Sequence, residues 1–555
     1  MKKLVSLILA GTLGLSLLAG CGSEAAEGSA SVSAAGSSPA AVTTTSSGVD
    51  TTNFLKIVEA TPDIVDTQCT TDYYTVGMNI FDRLVEVQAN GDGTSQIVPS
   101  LAKNWDISED GLTYTFYLEE GVKYSNGADF TASDVLYTIK RMLTNPKAVN
   151  GDIYDMIVGA EELSAGTADN ISGVEVVDDY TVKMTLTQPY AAFLACLTTP
   201  GASMLDEETT EVAGDQFGID PAVTIGTGPF IFDSWEFNAQ MVLVANPDCW
   251  SGAPACEGIV MMDIPDEATQ RMMFENGELD LLDLDNAASQ ADYFLNNEAY
   301  KDQIASGTRV GTYYIALNEL HEALSNVKVR QALQHAIDRQ AILDALYGGR
   351  GTVENGIFAT GLIGHNNDLP ELAYDVELAK QLLAEGGYPD GFEMELCYSS
   401  DSGQITKDLL EIVSAQLSQI GVTAKVVEVD EGSWSERRAA GELDSYTSSW
   451  SADFNDPDNF IYTFFGTADN SVRRGLNYTN QEAIDRVAAA RGIVDESERI
   501  AEYQALEQLI IQDEAAWIPL YSKQHLYVVN PRVSGFTVSW NGWSSNYYRN
   551  VAVSG

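Results

Sequence analysis

From about residue 53 to the end, apolar residues recur now at strand spacing and now at helix spacing, which limits the chain to layered α/β architectures. Tyr114, Phe116 and Leu118 alternate with Thr113, Thr115 and Tyr117, the pattern of a half-buried strand. Gly121 and Asn126-Gly127 mark turns. Thr131, three residues before Asp134, then forms a capping box opening a helix that carries Val135, Ile139 and Leu143 on one face. Val329, Leu333 and Ile337 predict a single amphipathic helix running to Gly348-Gly349. Residues 404–419 read as another helix, stopped by Gly421, after which Val422, Ala424 and Val426 alternate with Thr423 and Lys425 as a strand. Composition breaks near 221–229 and 307–318 and the lack of a short repeat argue for at least three α/β units, not a solenoid or propeller.

Charge narrows the function classes. Lys+Arg number 30 against 81 Asp+Glu, a formal net charge of -51, so nucleic acid and anionic membrane surfaces are repelled. The 25 Tyr, 18 Phe and 8 Trp spread through the chain exclude a disordered acidic tail. Only His321, His335, His365 and His525 are present, with no pair at metal-ligand spacing, so neither metal nor cofactor is expected. His321-Glu322 begins like a zincin, but Ser325 stands where the second ligand belongs. There is no G-x-S-x-G elbow, Walker A, Cys-x-x-Cys or G-x-G-x-x-G. Asp453 to Asp458 has calcium-like oxygen density, yet Pro457 and Asp458 occupy the fifth and sixth loop places. Nothing supports an enzyme.

The first twenty residues read as an export signal: Lys2 and Lys3, an apolar run from Leu4 to Leu18 too short for a permanent span, then Leu18-Ala19-Gly20-Cys21. A Cys as first mature residue is the bacterial lipobox pattern, with the Cys21 thiol taking a diacylglyceryl group. Residues 21–52 are then lipidated Cys and a Ser/Ala/Gly/Thr tether too poor in apolar residues to fold. The expected location is the outer face of a cell membrane of Gram-positive type, reached through the N-terminal lipid alone. Of the other cysteines, Cys249 and Cys256 bracket a Gly/Pro-bearing segment that brings a local disulfide within reach.

Four blocks, in order, carry a family resemblance. Leu101-Ala102-Lys103-Asn104-Trp105-Asp106 leads through Gly111-Leu112-Thr113-Tyr114-Thr115-Phe116 to Thr131-Ala132-Ser133-Asp134-Val135. Gly226-Thr227-Gly228-Pro229-Phe230 precedes Asn246-Pro247-Asp248-Cys249-Trp250, where the family usually has Tyr in place of Cys249. Val327-Lys328-Val329-Arg330-Gln331-Ala332-Leu333 runs to Ala336-Ile337-Asp338-Arg339, and Trp450 stands three residues before Asp453. Together they resemble the extracellular solute-binding proteins of the peptide/nickel class (family 5), the OppA/DppA-like receptors of ABC importers.

The resemblance implies an α/β, bilobed, periplasmic-binding-protein-like type II (cluster C-like) fold with an extra subdomain in the N-terminal lobe. Residues 53–95, 223–315 and 525–555 would build lobe I, 96–222 the extra subdomain and 316–524 lobe II. It further implies a monomer that closes on a di- or oligopeptide and delivers it to ABC permease subunits driven by cytoplasmic ATPases. In such relatives the Asp of the W-x-x-D pattern meets the ligand ammonium, a part that falls to Asp453; the competing assignment is an Asp capping the turn before Pro457. Trp450 and Arg438 fall at cleft positions, and Tyr154, Tyr73 and Tyr74 near cleft-facing segments. A further cleft Arg of the family is matched by Thr447. Other ligands on the same fold stay open, namely a nickel complex, an oligosaccharide or an opine, as does a peptide or pheromone sensor without import.

Overall fold

A computed structural model describes residues 48–71, 73–89, 95–285, 287–540 and 546–555. Cys21 and the expected signal and most of the tether lie outside the described residues. One 13-residue strand, Trp517–Val529, is the spine. Its first half pairs antiparallel with Gly311–Leu317 (Tyr313 opposite Tyr521) and Gly351–Val353 (Gly351 opposite Lys523). Its second half pairs with Ile304–Thr308 (Thr308 opposite Gln524) and Leu281–Asp283. The partners therefore change between Lys523 and Gln524, and the neighbouring chain makes the same passage over Arg309 and Val310.

On one side of this passage Leu55–Val58 pairs parallel with Gly258–Met262, and Gln240–Ala245 and Phe230–Glu236 follow antiparallel. On the other, Glu393–Ser399 pairs parallel with Thr423–Val429 and Ser445–Ser451, and the last is antiparallel to Gly311–Leu317. The expected cut at 315/316 thus falls inside a strand, because Gly311–Leu317 pairs along its length with Ser445–Ser451 on one edge and with the first half of the spine strand on the other.

A separate four-stranded antiparallel sheet orders Ala102–Ile107, Thr113–Leu118, Thr181–Thr185 and Val174–Asp178. Tyr114, Phe116 and Leu118 are buried there against the helix Ala132–Thr144, and each contributes about 1.5–3 kcal/mol. That helix starts at the expected capping box: Asp134 Oδ2 accepts the Thr131 N–H at 2.8 Å. The core of this unit reaches from Leu84 to Ile225.

Two expectations are corrected. The helix read from Val329 to Gly348 is two, Val327–His335 and Arg339–Tyr347. Asp338 leaves helical geometry (φ -79°, ψ 91°) and accepts the Ala341 N–H through Oδ1 at 2.9 Å, so its capping preference overrides the apolar period. Nor does the Cys249–Cys256 disulfide form; both are free, buried thiols. Cys249 Sγ lies 3.4 Å from Ser251 Oγ, while Cys256 packs into the core of the first half. Arg549 holds the Ser251 and Gly252 carbonyls, fixing the intervening turn. Among the described residues no helix is long and apolar enough to cross a membrane, and no group of three or more metal-ligating side chains gathers.

Candidate ligand-binding cleft

The strand Ser445–Ser451 ends in a loop that delivers the chain to the helix Pro457–Phe465. Proline at the first helical position loses no hydrogen bond there, and Asp456 caps the end by accepting the Asp458 N–H at 3.0 Å. The cap before Pro457 is therefore Asp456. Asp456 is itself held bidentately by Arg499 at 2.7 and 2.8 Å.

Asn459, one turn into that helix, organises the loop. Its Oδ1 accepts the Asp453 N–H and its Nδ2 donates to Asp453 Oδ2, both at 3.0 Å. Its backbone carbonyl accepts the Trp450 indole N–H at 2.9 Å. One buried residue thus fixes both, the half-buried carboxylate through its side-chain amide and the half-buried indole through its backbone carbonyl. The Trp450 ring is held from beneath by Phe464 (centroids 5.5 Å, edge-on), and the Arg474 guanidinium lies 4.6 Å from its centroid.

Trp450 and Asp453 line a cavity of about 950 Å3, at the upper end of the usual range for small-molecule sites. Arg438, Arg473 and Arg474 line it from the same side. The far wall comes from the extra subdomain and includes Asp152, Asp155 and Tyr190. Protein crowding around Asp155 raises its carboxyl to about 6, with the neighbouring Asp152 adding to the rise. Where the two walls meet, the Tyr190 hydroxyl donates to Asp458 Oδ2 at 2.8 Å, Tyr503 donates to Oδ1 at 2.9 Å, and Arg491 pairs with Asp458 at 3.2 Å. Burial raises the Asp458 carboxyl, and the Arg491 guanidinium opposes that rise. Arg491 also stacks 3.8 Å from the Tyr462 centroid and 4.3 Å from that of Tyr190. A smaller cavity of about 440 Å3, with Asp285, Tyr313 and Lys523 among its lining, lies beside the spine strand where its partners change.

The structure brings Asp453, Trp450, Arg438 and Tyr74 to the large cavity. Tyr74 is nearly all buried, and its hydroxyl donates to the Thr70 carbonyl at 2.7 Å, so it shapes the wall. Tyr154 is corrected: following the 3-10 turn Gly151–Ile153, its ring is fully buried in the apolar subdomain core with Ile153 and Ile157, where no ligand reaches it. Tyr73 is 42% exposed, with φ 55°, and its place at the cleft stays an expectation. Sequence reading missed Asp152, Asp155, Arg473, Arg474 and Arg491. The adjacent pair Arg473-Arg474 was the available signal, since basic residues are scarce in this chain.

The model of the bacterial extracellular solute-binding proteins, family 5, matches residues 96–472. The chain is 31% identical over 499 residues to heme-binding protein A of Haemophilus influenzae, covering 87% of this chain and 89% of that one. It is 30% identical over 503 residues to the dipeptide-binding protein of Escherichia coli, covering 87% and 90%. The solved structure of HbpA2 from Haemophilus parasuis superposes with a TM-score of 0.77 at 30% identity, covering 90% of this chain and 99% of that chain. Two lobes joined by paired crossings, a further subdomain and a cavity between the walls agree with these likenesses, and the chain belongs to the bacterial extracellular solute-binding proteins of family 5.

Proposed function

We propose that this solute-binding protein captures short peptides between its lobes and presents them to the permease of an ABC importer. The observation that carries the reading is the Asp453 carboxylate, fixed by Asn459 beside the Trp450 ring in the cavity wall. Peptides of any sequence share an ammonium group, and a half-dehydrated carboxylate is its natural partner. A cavity of about 950 Å3 leaves room for side chains and bridging water, which suits a receptor tolerant of sequence. The dipeptide-binding relative supports this ligand class. Closure would turn about the crossings at Arg309-Val310 and Lys523-Gln524. Cys21 would carry the lipid that moors the protein at the cell surface, with the following residues as tether.

Native mass spectrometry of freshly purified protein, followed by calorimetry with a dipeptide and tripeptide panel, tests the reading. Peptide adducts and saturable binding are expected, together with intact ligand after prolonged incubation. Binding of hemin with no binding of any peptide would overturn it. Mass spectrometry of the membrane fraction should find diacylglyceryl on Cys21.

A further inference from the structure

Arg438, Arg473 and Arg474 all line the large cavity, and none of them has an ion-pair partner among the described residues. Their neighbours behave differently: Arg437 pairs with Glu442 at 3.2 Å and Arg491 with Asp458 at 3.2 Å. In a chain with 81 acidic and 30 basic residues, carboxylates are plentiful, so three cations left together call for an anion from outside.

The three groups are also held in place. The Tyr446 hydroxyl donates to the Arg474 carbonyl at 2.6 Å, and the Arg474 guanidinium spans Trp450 and Phe464 at 4.6 and 5.3 Å from their centroids. Arg473 donates to Asn470 Oδ1 at 2.7 Å. Arg438 lies 5.8 Å from the Tyr446 centroid, with its buried Nε unpartnered. Arg438 and Arg473 are near enough to add to the burial that weakens the hold of Arg474 on its proton. A backbone glycine, Gly475 (φ +65°), lets the Arg438 stem pass; a Cβ there would stand 2.8 Å from Arg438 Cγ.

We propose that this arginine cluster is an anion subsite that selects peptides carrying an acidic side chain at the carboxyl-terminal residue. The proposal rests on the peptide reading above. One carboxylate has two oxygens and is satisfied by a bidentate guanidinium and one further donor. Three forks need a second anionic group, and a terminal Glu or Asp supplies it. Trp450 is tied through Asn459 to Asp453 and carries the Arg474 guanidinium against its ring, so the proposal assigns the ligand ammonium to Asp453 and its carboxylates to the arginines. The net charge of -51 opposes acidic ligands at a distance, but salt screens it beyond about 8 Å.

Calorimetry with Ala-Ala-Glu and Ala-Ala-Gln tests this, on the wild type and on Arg473→Gln and Arg474→Lys, each checked by thermal melting. Arg473 is exposed, so its substitution leaves the core untouched. The readout is the ratio of the two affinities within each protein. The wild type should favour Glu by about 10- to 100-fold, and Arg473→Gln should bring that ratio to within about threefold of unity. Arg474→Lys, which keeps charge and loses the fork, should reduce it partway. Equal affinities on the wild type overturn the proposal and leave the peptide reading standing. Binding of glutarate, lost in Arg473→Gln, with no peptide binding upholds the anion site and sinks the peptide reading. If neither glutarate nor acidic peptide binds, the subsite is overturned.

Discussion

Replacing Asp453 by Asn removes one charge and little else. The side chain keeps its shape, the backbone N–H of residue 453 still meets Asn459 Oδ1, and an amide oxygen can still accept from Asn459 Nδ2. An ammonium about 4 Å from a carboxylate at an effective dielectric near 20 is stabilised by about 4 kcal/mol, and losing one partner of a desolvated pair costs about 2–5 kcal/mol. Asp453 is only half-buried, which places the expected loss toward the lower end, about 2–4 kcal/mol, or roughly 30- to 700-fold in affinity. Calorimetry of a free tripeptide and its N-acetyl form on both proteins separates the charge effect from general damage. Acetylation should weaken binding to the wild type strongly and to Asp453→Asn hardly at all. If acetylation is as harmful in the variant as in the wild type, the ammonium is read elsewhere and the argument fails.

Three other outcomes are expected. Tyr190→Phe deletes a hydrogen bond to the Asp458 carboxylate that joins the two cleft walls, so about 1.5–3 kcal/mol of contact is lost. X-ray scattering should show a larger radius of gyration for the ligand-free variant, with weaker peptide binding, and unchanged scattering contradicts the account. The Glu507 carboxyl is pushed up to about 8 by burial, against the hydrogen bond it accepts from the Phe358 N–H at 2.9 Å. A raised carboxylate pKa contributes stability that is complete below the ordinary value of 4.5 and is lost as pH rises through 8. Glu507→Gln should therefore melt above the wild type at pH 9 by at least about 2 °C, and the gap should shrink toward pH 5. Gly475→Ala forces a left-handed residue to carry a Cβ 2.8 Å from Arg438 Cγ, costing about 1–2 kcal/mol in backbone strain alone. Lower melting temperature and weaker binding of acidic peptides should appear together.

Local rules were legible where the chain obeys only its own neighbours. The strand Thr113–Leu118 and the capped helix Ala132–Thr144 follow period and cap directly. The break at Asp338 was hidden because apolar residues continue through it on the helical period while the side chain prefers a cap. At the cleft, the short spacing from Trp450 to Asp453 survives folding as a unit, since one residue of the next helix, Asn459, binds both. The opposite wall comes from residues some 300 positions earlier, and nothing local marks Asp152 or Asp155 as cleft residues. Tyr154 misled for the same reason: sequence places an aromatic near the ligand, but packing with residues distant in the chain buries its ring in the subdomain core.

The spine strand Trp517–Val529 has one more consequence. Because it runs unbroken beside a second crossing only two residues long, the lobes are joined by a narrow ribbon and not by a loose string. A ribbon twists readily about one axis and resists splaying in others. If the lobes close as proposed, capture becomes travel along a single arc, and a cargo too bulky for the cleft halts the swing early.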